Sequence, residues 1–151
     1  MIIFSKYGEY NRRNFIEECF EKYLKIIAET KLGDTLKIDS GKNNKPYFKD
    51  YPNVRFSISH SGDLVVLAMS DTEVGIDIEK IKPRDYESIV ARHFTEGEAK
   101  EVDSIESFLK VWTKKEAYLK LTSEGLGGLD VSDVSKNLTY EGEPLVFTTL
   151  D

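Results

Sequence analysis

VGIDIE at residues 74–79 is the stretch from which the fold and the chemistry of this chain are predicted. Side chains alternate across a β-strand, so its valine and isoleucines point to one face while Asp77 and Glu79 point to the other. Two carboxylates on one face of an otherwise apolar strand repel each other and are costly to bury. A divalent cation would turn that repulsion into attraction, and the strand is therefore a candidate for one side of a metal site.

WTKKEAYLK at residues 112–120 supplies the other part of this chemistry. In a helix, residues four positions apart share a face, so Trp112, Glu116 and Lys120 fall on one line. A third carboxylate and a cation thus follow an apolar anchor. Three acids, Mg²⁺ and a lysine are groups that handle phosphate, and the two segments together predict a phosphate-handling site.

Composition and charge favour one soluble globular domain. With 151 residues the chain can bury a core of its own. Its longest apolar run, Leu64–Met69, is too short to cross a bilayer, and no secretory signal is recognisable, so we expect a cytoplasmic protein without a membrane partner. The net charge of −6 argues against a nucleic-acid partner. The one cysteine, Cys19, lies in a helical apolar pattern and is expected to be a buried small hydrophobe.

The hydrophobic periodicity predicts an α+β fold, with an antiparallel sheet and packed helices. A helix should begin after an N-cap at Asn11 and run to about Thr30. Short strands at Val54–Ile58, Leu64–Met69 and Val74–Ile78, joined by tight turns, predict an antiparallel meander. The rest of the pattern predicts a polar loop at residues 40–52, a helix at 85–93, a capping box at 95–98, a long helix at 104–122, a glycine-rich loop at 123–128 and a strand at 144–149.

Each motif alone is weak, because a D-x-E strand is more often a solvated edge and a Ser-His-Ser-Gly turn usually reflects turn chemistry. Their order and combination, however, resemble the 4'-phosphopantetheinyl transferases, in particular the type that activates surfactin synthetase. The resembling motifs are Lys45–Tyr47 (KPY), Ile58–Gly62 (ISHSG), Val74–Glu79 (VGIDIE) and Trp112–Lys120 (WTKKEAYLK), with Phe94–Glu98 as a further F-x-x-x-E element. The likeness covers about residues 45–128.

The resemblance implies an enzyme that moves the 4'-phosphopantetheine arm of coenzyme A onto a serine of an apo acyl or peptidyl carrier protein, releasing 3',5'-ADP. Carried over by position, Asp77, Glu79 and Glu116 would hold Mg²⁺ against the pyrophosphate. Either Glu116 or Glu98, the latter through a water, would remove the serine proton. Whether the carrier serves fatty-acid, polyketide or nonribosomal peptide synthesis stays open.

The resemblance also implies the contacts to coenzyme A. Lys120 would contact the pyrophosphate, and Lys115 would lie along the pyrophosphate or the 3'-phosphate. The residues implied to hold the 3'-phosphate are Lys45, Ser59 and His60. The stretch before residue 31 is short for this type, and Arg12 or Arg13 is expected to replace basic residues that the longer members carry there.

The implied architecture is a monomeric pseudo-dimer, with residues 1–72 as a shortened N-terminal half and residues 73–151 as a C-terminal half that carries the metal site. The shorter, trimeric acyl-carrier-protein synthase type is disfavoured, since it starts close to its GID motif. Two other functions stay open at this stage: a non-catalytic module that binds carrier proteins, and a Mg²⁺-dependent phosphohydrolase that acts on a nucleotide.

Overall fold

The computed structural model describes residues 1–27, 36–124, 133–134 and 145–150, the last range as backbone only. The elements in chain order are β1 (Ile2–Tyr7), α1 (Arg12–Ile27), β2 (Ile38–Ser40), β3 (Pro46–Phe48), β4 (Arg55–Ser61), β5 (Leu64–Ser70), β6 (Gly75–Lys80), α2 (Glu87–His93), α3 (Glu96–Ala99), α4 (Ile105–Thr122) and β7 (Leu145–Leu150). Packed helices and antiparallel strands confirm the predicted α+β class. Thr30 and all but the first two residues of the predicted glycine-rich loop lie outside the described ranges.

The first layer is a three-stranded sheet covered on one face by α1. Strand β5 lies in the centre and runs antiparallel to both β1 and β4. The helix begins as predicted, because the side-chain oxygen of Asn11 accepts a hydrogen bond from the Asn14 N–H at 3.1 Å. Cys19, on its inner face, is 2% exposed, and burial raises the pKa of its thiol to about 11, which confirms the expected buried hydrophobe.

Two strands are absent from the sequence prediction. β1 has only a short apolar segment of its own, and it forms because the buried strand β5 requires a partner on its second edge. β3 lies within the predicted polar loop and pairs with β2 in a small antiparallel hairpin. In both cases the pairing partner, more than the local pattern, stabilises the strand.

The third strand of the predicted meander is placed differently. β6 pairs with β7 in a parallel two-stranded sheet, with Gly75 opposite Leu145, so an antiparallel meander continuing through residues 74–78 is wrong for this strand. The reason is that the apolar side chains of this segment are buried by packing against the face of another sheet. Val74, Ile76 and Ile78 form a buried cluster with residues of β5, which places β6 over the face of the first sheet that α1 leaves uncovered.

Helix α4 packs against the opposite side of β6, at a distance set by Gly75. The helix begins at the N-cap Ser104, whose hydroxyl accepts from the Ser107 N–H, and it confirms the predicted range. A Cβ atom on Gly75 would lie 1.9 Å from the carbonyl oxygen of Ala117 and 2.8 Å from the amide nitrogen of Leu121. Only glycine permits this backbone contact, which lays the last turns of α4 over the polar face of the strand.

We expect Gly75→Ala to lower the free energy of unfolding by about 1–3 kcal/mol or more, because the obstructing atoms are helix backbone that cannot rotate away. Urea denaturation measures the change. Gly41→Ala is the matched control, since its nearest neighbours lie 3.6 Å from the added Cβ. Equal stability of the two variants would contradict this account of the helix–strand contact.

Among the described residues, no helix combines the length and apolar character needed to cross a membrane.

Candidate functional site

The polar face of β6 and the adjoining face of α4 meet at Asp77 and Lys120. Lys120 Nζ donates a hydrogen bond to Asp77 Oδ1 at 2.6 Å. Asp77 is only 6% exposed, and burial raises the pKa of its carboxyl, although Lys120 and the hydroxyl of Ser59 act in the opposite direction. The two sequence segments that predict a phosphate-handling site are therefore brought together by the fold.

Glu116 lies one helical turn before Lys120, at the same junction. Burial raises the pKa of its carboxyl, and the charges of Asp77 and Glu79 raise it further. Glu79 is held by two donors, since its Oε2 accepts from Ser61 Oγ at 3.1 Å and from the Arg84 guanidinium at 3.3 Å. Three carboxylates thus lie within electrostatic reach of one another.

These carboxylates fit a hard cation in donor type, but in the described residues they do not converge as the ligands of a formed metal centre would. Within the described residues no three carboxylate, imidazole or thiol groups converge closely enough to hold a metal ion. Instead, the Lys120 ammonium neutralises part of the acidic charge by binding Asp77. The charge of Glu79 raises the pKa of both Asp77 and Glu116, and oxygen donors that repel in this way are the type that Mg²⁺ would stabilise.

A cavity of about 230 Å³ opens beside this junction, and its lining includes Arg12, Lys45, Glu116 and Lys120. Lys45 Nζ donates to Glu73 Oε2 at 2.6 Å and to the carbonyl oxygen of Leu121 at 3.1 Å, so it is anchored next to the end of α4. Three cationic side chains therefore line this cavity together with Glu116, and although Lys45 and Lys120 are paired with carboxylates, such cations are the groups that would contact a phosphate-bearing ligand.

Three residues expected to bind coenzyme A make other contacts in the structure. Ser59 is 7% exposed, and its hydroxyl donates to Asp77 Oδ1 at 2.7 Å, so it faces the acidic junction. His60 is exposed and its ring meets the edge of Tyr10, outside the cavity lining. Arg13 donates to the carbonyl oxygen of Leu36 at 2.9 Å and lines a neighbouring cavity of about 450 Å³, whereas Arg12 lines both cavities.

Glu98 and Lys115 require a correction, because the structure buries them against each other. Lys115 Nζ lies 2.6 Å from Glu98 Oε2, and both side chains are fully buried. Glu98 also accepts from the Thr95 N–H at 2.8 Å, which completes the predicted capping box, and from the Val134 N–H at 2.8 Å. All these partners are internal, so the expected base role of Glu98 and phosphate contact of Lys115 do not agree with their positions.

The fold also brings residues to the site that the sequence did not indicate. Ser61 and Arg84 hold Glu79, and Ser57 lines the cavity. The alternation of serine with apolar residues in F-S-I-S-H-S could have indicated a polar strand face. Nothing local identifies Arg84, which contacts Glu79 from the irregular segment after β6.

Comparison with known proteins identifies relatives whose names agree with a phosphate-handling site. Residues 73–151 match the family described as the 4'-phosphopantetheinyl transferase superfamily. The chain is 38% identical to 4'-phosphopantetheinyl transferase psf-1 of Bacillus pumilus, covering 90% of this chain and 56% of that protein. It is 34% identical to 4'-phosphopantetheinyl transferase Sfp of Bacillus subtilis, covering 84% and 66%, and 40% identical to AcpT of Salmonella typhi, covering 53% and 46%.

The chain thus spans about half to two thirds of the length of these relatives. The family match covers the strand and the helix that form the acidic junction, as well as the cavity residues contributed by α4. On these grounds, the chain belongs to the 4'-phosphopantetheinyl transferase superfamily.

Proposed function

We propose that this protein transfers the 4'-phosphopantetheine arm of coenzyme A to a serine hydroxyl of an apo carrier protein and releases 3',5'-ADP. The observation that carries the proposal is the junction of Asp77, Glu116 and Lys120 beside a cavity lined by further cations. The names of the relatives support the same reaction. We further expect the protein to act as a cytoplasmic monomer.

The cations of the cavity match the charge of the proposed substrate. Phosphoryl transfer depends mainly on positioning and on neutralising the charge of the transferring and leaving groups. Lys120 would neutralise the pyrophosphate at the junction with Asp77, and Lys45, which lines the same cavity, would bind a phosphate. The nucleophile comes from the carrier protein, so the site needs no serine or cysteine nucleophile of its own.

Asp77, Glu79 and Glu116 are the residues that would hold Mg²⁺, which would supply further positive charge against the pyrophosphate. Glu116 is the better candidate for the base of the two carboxylates considered, because Glu98 is enclosed in an ion pair. Burial raises the pKa of the Glu116 carboxyl, which favours proton acceptance, whereas Mg²⁺ held by the same carboxylate would lower that pKa.

Arg12 is proposed to bind the 3'-phosphate in place of Arg13. We expect Arg12→Met to reduce the preference for coenzyme A over its 3'-dephospho form by roughly tenfold, as for the loss of one charge-assisted hydrogen bond. Arg13→Met is the matched control, because that guanidinium is engaged with Leu36 and Glu17. If only Arg13→Met lowers this preference, the assignment of Arg12 to the 3'-phosphate is wrong. The preference of His60→Ala for coenzyme A over the 3'-dephospho form tests whether the exposed histidine contributes as well.

The reaction itself is tested by incubating the protein with coenzyme A and Mg²⁺, with and without an apo carrier protein, and following both products by mass. A transferase consumes coenzyme A only when the carrier is present, and adds the arm to it. A phosphohydrolase would consume coenzyme A alone, and a non-catalytic binding module would consume none. Either of these two results would overturn the proposed function.

A further inference from the structure

Three serines of β4 join its sheet to the sheet formed by β6 and β7. Ser57 Oγ accepts a hydrogen bond from the Ile76 N–H at 3.1 Å, Ser59 Oγ from the Ile78 N–H at 3.4 Å, and Ser61 Oγ from the Lys80 N–H at 2.9 Å. Both strands advance by two residues at each step, so every second side chain of β4 meets every second amide of β6. We call these three contacts the serine ladder.

The serine ladder replaces a backbone ladder between β4 and β6. Within the described residues these strands belong to separate sheets and share no backbone pairing. The hydroxyls therefore satisfy amides of β6 that are otherwise buried against the first sheet, and they fix how far β6 slides along β4. This role is common to all three serines.

Two of the three serines make a second contact that the first does not. A hydroxyl has one proton, and because its oxygen already accepts from an amide, that proton is directed at a different acceptor. Ser59 donates to Asp77 Oδ1 at 2.7 Å, and Ser61 donates to Glu79 Oε2 at 3.1 Å. Among the described residues, Ser57 has no carboxylate partner.

We infer that Ser59 and Ser61 are positioning residues that aim the Asp77 and Glu79 carboxylates at a divalent cation, and that Ser57 is not. Each hydroxyl accepts a hydrogen bond from an amide of β6, the strand that also carries the carboxylate. The orientation of the carboxylate therefore depends on the position of β6 along β4. The inference rests on the proposed function, since it assigns the cation to these acids. Outer-shell donors of this kind typically change metal affinity 10–100-fold.

The test compares the wild type with Ser57→Ala, Ser59→Ala and Ser61→Ala. Mn²⁺ affinity is measured without coenzyme A, by the paramagnetic resonance of the free ion, and the midpoint of urea denaturation is measured in parallel. All three variants should lose stability, and Ser59→Ala and Ser61→Ala should lose more, because each also loses its hydrogen bond to a carboxylate. Only Ser59→Ala and Ser61→Ala should weaken Mn²⁺ binding, by roughly tenfold or more, and Ser61→Thr, which keeps the hydroxyl, should restore it.

Equal Mn²⁺ affinity in Ser57→Ala and Ser61→Ala would show that the serine ladder has only a structural role, and it would overturn the inference. If Ser61→Ala does not fold, Ser61→Cys replaces it, since a thiol is nearly isosteric but a weaker donor, and it should still bind Mn²⁺ less tightly. If the wild type binds no Mn²⁺, the proposed cation site itself is wrong. The wild-type measurement shows this before any variant is compared. Because coenzyme A is absent, a role of Ser59 in phosphate binding would leave these affinities unchanged, and that result too would overturn the inference.

Discussion

Glu116→Gln is expected to reduce the proposed transfer of the phosphopantetheine arm by about 100-fold or more. Glutamine keeps the size of the side chain but can neither accept the serine proton nor offer an anionic oxygen to Mg²⁺. Loss of a general base alone typically costs 100- to 10,000-fold. Single-turnover assays that follow the mass of the carrier protein measure the chemical step directly.

The same substitution should leave the stability of the protein unchanged or slightly higher. Burial and the neighbouring Asp77 and Glu79 raise the pKa of Glu116, which means that the fold disfavours its charge. Removing that charge relieves repulsion. Glu106→Gln, at an exposed position in the first turn of the same helix, is the control and should keep full activity. Near wild-type turnover in Glu116→Gln would exclude this residue as base and ligand.

Glu98→Gln is expected to lower the free energy of unfolding by about 3–5 kcal/mol, because it removes the carboxylate of a fully buried ion pair with Lys115. Lys115→Met should cost less, since the Glu98 carboxylate would keep the hydrogen bonds from the Thr95 and Val134 amides. Urea denaturation of each variant measures both changes.

The double variant Glu98→Gln/Lys115→Met separates a structural role from a catalytic one. Because it removes both charges of the buried pair together, it should be more stable than Glu98→Gln, and the proposed transferase activity should be largely retained. Strictly additive losses of stability would show that the two residues do not act as a pair. A stable but inactive double variant would return Glu98 to the list of candidate bases.

Local signals in the sequence account for what could be predicted. The N-caps at Asn11 and Ser104 and the spacing along α4 are determined by neighbouring residues, so both helices begin where expected. The meeting of β6 and α4 could be expected because Glu116 and Lys120 share one helix face and Gly75 leaves room for close packing.

The remainder depends on contacts between distant parts of the chain. The partner of β6 is 70 positions away, as Gly75 opposite Leu145 shows, and no local pattern encodes that pairing. The burial of Glu98 and Lys115 could not be predicted from the sequence either, because charged residues at helical spacing are usually solvated. The proposed division into two similar halves stays a prediction.

The parallel pairing of β6 with β7 has a consequence for how the protein emerges from the ribosome. At about 5–20 residues per second, the partner strand is made several seconds after β6. During that interval β6, whose apolar side chains are Ile76 and Ile78, exposes an unpaired edge, which is the kind of segment that aggregates. Asp77 and Glu79 interrupt its apolar run with two negative charges and should keep nascent chains apart. The acids proposed to act on coenzyme A would thus first act as gatekeepers of their own strand during synthesis.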